Sequence, residues 1–377
     1  MLNINKTFFL KIVNWLISIF CIFFMFIING CSDSSSPKNN KPSIDAITAT
    51  PDKLAYGEQS TVTVSATDKD NDNLTFNWTC DNGSFSDGSA TNSTIWEAPN
   101  ETGTCGVTVT VSDGEEEVTA SVSIEIIGLF YDGFDTDLDK WSNSYCNSWV
   151  SSGEAHITGR TSGYFGTLAH SLDENLSPEY TVSMKLARID GFSSEQYYGL
   201  YLEVNDDGDI IIPAWIFAIL PSTSDKNWAV ICFVFSYSQL SGSWVYLDDN
   251  SYGISSLVHT SANVFNDISL TIQEDKTVIA RVGNQSIYQS DEISNIENSF
   301  GITVNMDLVE VGARTRYDKE IKIDDVVITT PSGSAPKYVI DRNKGNFRSN
   351  INTLAFETLP KDIQKLKTLR EVIKDLK

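Results

Sequence analysis

Gly106-Val-Thr-Val-Thr-Val-Ser112 and Val118-Thr-Ala-Ser-Val-Ser-Ile-Glu-Ile126 alternate small or apolar residues with polar ones along their length. That period of two belongs to a β-strand with one buried face, because successive side chains point to opposite sides. The same alternation recurs in Ser60-Thr-Val-Thr-Val-Ser-Ala66 and Leu74-Thr-Phe-Asn-Trp78, with turn residues between the runs. Strands of this length and spacing predict a β-sandwich of about 85 residues over 42–127. Further strand patterns follow at Tyr180–Ala187, Tyr198–Val204, Ile210–Leu220, Trp228–Tyr237, Ser243–Leu247, Ile268–Gln273, Thr277–Val282 and Ser299–Val304. No helical period of useful length interrupts them. Two stacked antiparallel sheets accommodate that set and predict a second, larger sandwich over 128–330. The expected fold class is all-β.

The chain has 377 residues and a formal net charge of −23, unevenly spread. Residues 42–336 carry 13 Lys and Arg against 44 Asp and Glu, whereas residues 337–377 carry 10 against 5. An acidic body repels phosphate backbones, which excludes nucleic acid as a partner. The chemistry of catalysis is hard to find. His156, His170 and His259 lie far apart, with no H-E-x-x-H or H-x-H spacing, and no G-x-S-x-G elbow or glycine-rich phosphate loop occurs. No catalytic residue is assigned. No C-x-x-C spacing occurs either, which argues against a zinc site.

At the N-terminus, Lys6 and Lys11 precede an apolar run from Ile12 to Ile28, and Gly30-Cys31 follows. A basic segment, an apolar core and a small residue make an export signal. A cysteine directly after that small residue resembles the lipobox of bacterial lipoproteins, although Ile28 and Asn29 stand where that family has Leu and then Ala or Ser. The resemblance implies a signal peptide over 1–30 and a diacylglyceryl and palmitate anchor on Cys31. The alternative is an uncleaved membrane anchor, since the run approaches the length a bilayer needs. Residues 31–41 read as a disordered polar tether. Either way the body lies outside the cytoplasm, and Ser32 after the cysteine implies the outer membrane or cell surface.

The 42–127 segment resembles PKD-type and cadherin-like immunoglobulin folds. The matching residues are Asp68-Lys-Asp-Asn-Asp72 ahead of the Trp78 strand, Trp96-Glu-Ala-Pro99, and Val109-Thr-Val-Ser-Asp-Gly114. Thr79-Cys80-Asp81 departs from the D-F-G-D-G of the PKD repeat proper. Such domains serve as spacers or adhesion modules. Phe130-Tyr-Asp-Gly-Phe-Asp-Thr-Asp-Leu-Asp-Lys-Trp141 and Ile321-Lys-Ile-Asp-Asp-Val-Val-Ile328 resemble the opening and closing strands of concanavalin A-like (laminin-G-like) jelly rolls. Galactose-binding jelly rolls open in a similar way. Four exported cysteines allow three disulfide connectivities. The immunoglobulin-like resemblance places the Cys80 and Cys105 strands side by side, which implies that pair and leaves Cys146 with Cys232.

Three groups of residues are candidates for function. Asp68, Asp70 and Asp72 alternate in one loop and are candidate ligands for a structural calcium ion, without the glycine and closing glutamate of an EF-hand. Asp206-Asp207-Gly208-Asp209 reads as a hairpin turn. Trp215, Trp244 and Tyr246 fall on successive strands and are candidates for stacking on sugar rings, with Trp228 as a core member in an almost continuously apolar strand. Trp244 and Tyr246, two apart, share one sheet face. After a linker at 331–336, the basic tail carries Ile363, Leu366, Leu369, Ile373 and Leu376 at helical spacing, with Thr358 as a helix start. That helix either docks on the acidic body or binds a partner or membrane. The reading is a membrane-anchored, non-catalytic binding or adhesion protein for glycans. The alternatives are a scaffold for cell-envelope proteins through the basic helix, and a divergent glycan hydrolase.

Overall fold

The alternating runs become strands of two successive β-sandwiches. The computed structural model describes residues 38–86, 90–160, 165–189, 191–192, 196–204, 211–221, 226–236, 241–316, 318–331, 338–339 and 366–376, together with 11, 14 and 15. The proposed lipidation site Cys31, most of the signal and of the tether, and the 206–209 turn lie outside them. Among the described residues no helix is long and apolar enough to cross a membrane.

In the first sandwich one sheet runs in the order β1 (Ser43–Thr50), β3 (Gln59–Thr67), β6 (Ser93–Glu97), β5 (Ser84–Phe85). The other runs β2 (Lys53–Ala55), β8 (Glu117–Gly128), β7 (Gly103–Ser112), β4 (Thr75–Cys80). Their inward residues, among them Val62, Val64, Trp78, Trp96, Val107, Val109 and Ile124, form one core. Both buried indoles find an acceptor, as buried tryptophans need: Trp78 donates to the Thr91 carbonyl at 2.8 Å and Trp96 to that of Asn82 at 3.0 Å. Gly83, at φ +81°, sits where a Cβ would stand 2.7 Å from the Trp96 ring.

The second sandwich is a jelly roll. Its nine-stranded sheet runs β10 (Ser142–Ser144), β13 (Phe165–Leu176), β23 (Leu308–Arg316), β15 (Tyr198–Val204), β16 (Ile211–Ile219), β17 (Trp228–Ser236), β18 (Ser241–Tyr246). Two short strands flank it, β19 (Tyr252–Gly253) beside β17 and β25 (Tyr338–Val339) beside β13. The eight-stranded sheet runs β11 (Cys146–Ser151), β12 (Glu154–Gly159), β24 (Glu320–Thr329), β14 (Tyr180–Arg188), β20 (Asn266–Ile272), β21 (Val278–Val282), β22 (Gln285–Ser290), with β9 (Phe130–Asp132) beside β24. Successive strands β13, β14 and β15 alternate between sheets, and late strands insert beside early ones. Val182, Met184 and Leu186 meet Leu200, Leu202, Trp215 and Phe217 in the core between them.

Two expectations change. Where a strand is expected at Ser299–Val304, a helix spans Glu292–Phe300 instead. Ile293 and Ile296, three apart, bury one helical face, and Gly301 closes the helix in the left-handed region at φ +61°, its N–H on the Glu297 carbonyl. The expected C-terminal helix is present, described over Leu369–Leu376, and its expected start at Thr358 lies outside the described residues. Thr368 and Glu371 form a capping box: the Thr368 N–H donates to Glu371 Oε2 at 2.8 Å and the Glu371 N–H to Thr368 Oγ1 at 3.4 Å. Leu369 and Ile373 of this helix are sealed into the core, and Arg370 holds Glu292 through two hydrogen bonds of 2.6 and 2.8 Å.

The disulfides are the second change, since all four cysteines among the described residues are free thiols. Cys80 stands opposite Val107, so Cys105 is its diagonal neighbour. Diagonal Cα atoms lie about 7–8 Å apart, beyond the usual disulfide span. The Cys80 thiol turns to the Gly83 carbonyl at 3.8 Å. Cys146 packs beside Gly166 of β13 and donates to the Thr167 carbonyl at 3.2 Å, while Cys232 lies on β17. Four strand spacings separate β13 from β17, roughly 19 Å. That pair cannot close.

Candidate functional site

The outward face of the nine-stranded sheet, away from the sandwich core, is built in cross-strand rows. One row reads Ser171, Glu310, Glu203, Ala214, Phe233, Trp244 across β13, β23, β15, β16, β17 and β18. The next reads Ala169, Gly312, Tyr201, Ile216, Ile231, Tyr246 on the same strands. A third reads Thr167, Arg314, Gly199, Ala218, Ala229, Tyr252, ending on β19. Each row begins polar or small and ends aromatic. Between the ends lie Gly199, Ala214, Ile216, Ala218, Ala229 and Ile231, and the alanines and isoleucines among them are buried.

The polar end holds two carboxylates directly opposite each other, Glu203 and Glu310. The Tyr201 hydroxyl donates to Glu203 Oε2 at 2.8 Å, and Ser171 Oγ donates to Glu310 Oε2 at 2.8 Å. Arg314 lays its guanidinium 3.5 Å over the Tyr201 ring. The register explains that contact, because Gly312 faces Tyr201 and Gly199 faces Arg314, leaving room for both large side chains. Burial, reinforced by the Glu203 charge, pushes the Tyr201 phenol far above its ordinary range, and it remains a hydrogen-bond donor. Glu203 is 5% exposed and Arg314 2%. The array opens at its Ser171 side, where Ser171 is exposed and Glu310 half-buried.

The aromatic end holds Trp244 against Phe233, ring centroids 5.6 Å apart, and Tyr246 against Tyr252 at 4.4 Å. The buried ammonium of Lys226 donates to the Tyr246 hydroxyl at 3.1 Å and lies 4.2 Å over the Tyr252 ring. Trp244 is 4% exposed, and Leu366 packs on this face. The Tyr246 N–H donates to the Lys367 carbonyl at 2.9 Å along the sheet edge.

Of the aromatics singled out in the sequence, Trp244 and Tyr246 therefore share this face. Trp215 does not. It points between the sheets and donates to the Ile212 carbonyl at 3.0 Å, in the same core as Trp228. Tyr201, Glu203, Glu310 and Arg314 escaped the sequence reading. The alternation in Val309-Glu-Val311, with Ala313 ahead of Arg314, is the signal that marks β23 as a strand with a polar outer face.

The acidic loop of the first sandwich does converge. Single carboxylate oxygens of Asp68, Asp70 and Asp72 lie within 4.8 Å of one another. Part of that carboxylate capacity serves the loop itself: Asp68 Oδ1 accepts the Asp70 and Asp72 N–H groups at 2.7 and 3.3 Å, and Asp70 accepts the Asn40 N–H at 2.7 Å. Asp68 Oδ2 is sealed from solvent with no hydrogen-bond donor among the described residues. An oxygen-only set suits a hard cation such as calcium.

No curated protein sequence matches the chain. Solved structures similar to it include beta-agarase A from Zobellia galactanivorans, with 10% identity, TM-score 0.41, and coverage of 56% of this chain and 91% of that one. Another is the catalytic domain of an endo-1,3-beta-glucanase (laminarinase) from Thermotoga petrophila RKU-1, with 10% identity, TM-score 0.38, and coverage of 54% and 97%. A third is the Emp46p carbohydrate recognition domain, with 12% identity, TM-score 0.33, and coverage of 52% and 94%. With TM-scores below 0.5, the fold rests on the strand order described above. Residues 46–126, which span most of the first sandwich, match the family model of the PKD domain.

Proposed function

We propose that this is a lipid-anchored protein of the cell envelope whose jelly roll binds glycans on the outward face of its nine-stranded sheet. The row Ser171, Glu310, Glu203 carries the proposal. Like charges directly opposite in a sheet are destabilising, and burying a carboxylate costs free energy unless something compensates. A face meant only for packing has no use for that pair, whereas a site for hydroxylated ligands does. Sugar hydroxyls donate well to carboxylates, and the exposed Ser171 with half-buried Glu310 gives them an approach to the pair, while the remainder of the face, Tyr252 aside, is buried. Affinity electrophoresis through neutral soluble polysaccharides tests this. Glu203→Gln and Glu310→Gln should each weaken retention by roughly tenfold or more without lowering the melting temperature. Retention equal to wild type in both variants would refute the site.

The opposed carboxylates also favour glycan hydrolysis as a second reading. Neighbouring strands about 4.8 Å apart bring such carboxylates near the roughly 5–5.5 Å separation of retaining glycosidases. Release of reducing ends from a polysaccharide panel, abolished in Glu203→Gln, supports it, and a wild-type protein that releases none removes it.

In this proposal Cys31 carries the lipid and the PKD-like unit is a spacer. Cys31→Ala should abolish lipid labelling and leave precursor; unchanged labelling would rule the anchor out. The Asp68–Asp72 loop would hold a structural calcium ion, and chelation should then lower the melting temperature of the first sandwich. The C-terminal helix spends its apolar stripe on the core, which counts against a scaffold that recruits proteins through it.

A further inference from the structure

Trp149 is 39% exposed on β11, an edge strand of the eight-stranded sheet. Its indole stacks on the imidazole of His156, its direct cross-strand partner, with centroids 5.2 Å apart and planes 19° apart. The other side of the indole is the sheet edge. His156 is fixed from behind: its Nδ1 lies 3.0 Å from Glu320 Oε1 and its Nε2 3.9 Å from Glu154 Oε2. Lys322 completes the cluster at 2.9 Å from Glu154 Oε2. One position along, Asn147 Oδ1 accepts the Arg160 Nε–H at 3.0 Å.

From this patch we infer a second glycan subsite, on the opposite sheet from the groove, that takes one uncharged sugar ring on Trp149. The inference rests on the glycan-binding reading of the protein and extends it. Three observations select the ligand class. The charged groups around Trp149 are already matched with one another or with an amide, so the patch offers no net attraction to an ion. The outward residues beside Trp149 are Asn147, Ser151 and His156, all polar, so an apolar protein partner would gain a single indole and bury polar neighbours. A sugar ring uses both features, stacking its C–H face on the rigidly backed indole and turning its hydroxyls to the Asn147 and Arg160 groups at the rim. The outward faces of the two sheets point away from each other, so a chain with both sites engages two glycan strands at once and gains avidity.

Calorimetric titration of the exported chain with neutral oligosaccharides released from dextran, laminarin and mannan tests the subsite. The expected result is two sites in the wild type. Trp149→Ala should retain only the groove, Glu203→Gln should retain only Trp149, and Trp149→Ala should melt like wild type because the residue is exposed. Against immobilised polysaccharide, loss of either site should weaken retention by roughly tenfold or more through lost avidity. If Glu203→Gln abolishes all binding and Trp149→Ala titrates like wild type, the subsite is refuted while the groove stands. A wild type that binds none of the oligosaccharides overturns both.

Discussion

Ile373 decides whether the basic tail is an arm for partners or a part of the jelly roll. Its side chain is fully buried in the main core beside Leu369, at the end where Arg370 grips Glu292. Truncation to alanine in a core costs about 2–5 kcal/mol, the larger values where the surroundings cannot collapse. An eight-residue helix at the rim of a sandwich can settle inward, which places the expected loss in the lower half, about 2–3 kcal/mol. For a unit of about 200 residues each kcal/mol shifts the midpoint by about 2–4 °C, so Ile373→Ala should melt about 4–12 °C early. Lys374 is exposed on the same helix, and Lys374→Ala should stay within about 0.5 kcal/mol of wild type. The assay is thermal and urea unfolding of residues 42–377, followed by near-ultraviolet circular dichroism, with the two variants side by side. An Ile373→Ala midpoint equal to wild type would refute the docked helix and return its apolar stripe to an external partner.

Trp244→Ala should cost about 3–5 kcal/mol, read by the same melts, because the residue is packed against Phe233 although it faces away from the sandwich core; an unchanged midpoint would mean the aromatic end is open. Reagents for thiols should find Cys146 and Cys232 unreactive in the native chain, since burial pushes the first thiol up to about 11 and the second higher still, and reduction should leave the melting temperature unchanged; a mass gain of two protons on reduction would contradict the free thiols. Acid should destabilise the protein. Asp325 is pulled up by burial but driven below its ordinary value overall by Lys185 and Tyr131, and backbone N–H groups hold Asp113, Asp137 and Asp275 down. Groups with depressed folded values contribute stability that is complete above the unfolded value of about 3.9 and lost below it. Asp324, raised by burial and by Asp325, opposes this. The melting temperature should therefore hold from about pH 7 to 5 and fall below about pH 4; a constant value down to pH 3 would count against these contacts.

The all-β class was written in the residues themselves. Alternation in 106–112 and 118–126 names strands because the pleat sends neighbours to opposite faces, and that rule needs no partner strand. The expectation of an export signal rests on equally local residues, Lys6 to Cys31. What alternation cannot say is which face of a strand looks inward. Trp215 and Trp244 read alike in sequence, yet one is sealed between the sheets and the other lies outside them. Nor can it say which strands lie side by side. Ser171, Glu203 and Glu310 share one row only because β23 inserts between β13 and β15, bringing together segments more than a hundred residues apart. Pairing across such distances is fixed by how two whole sheets close over a common core, and that energy belongs to no single stretch of chain.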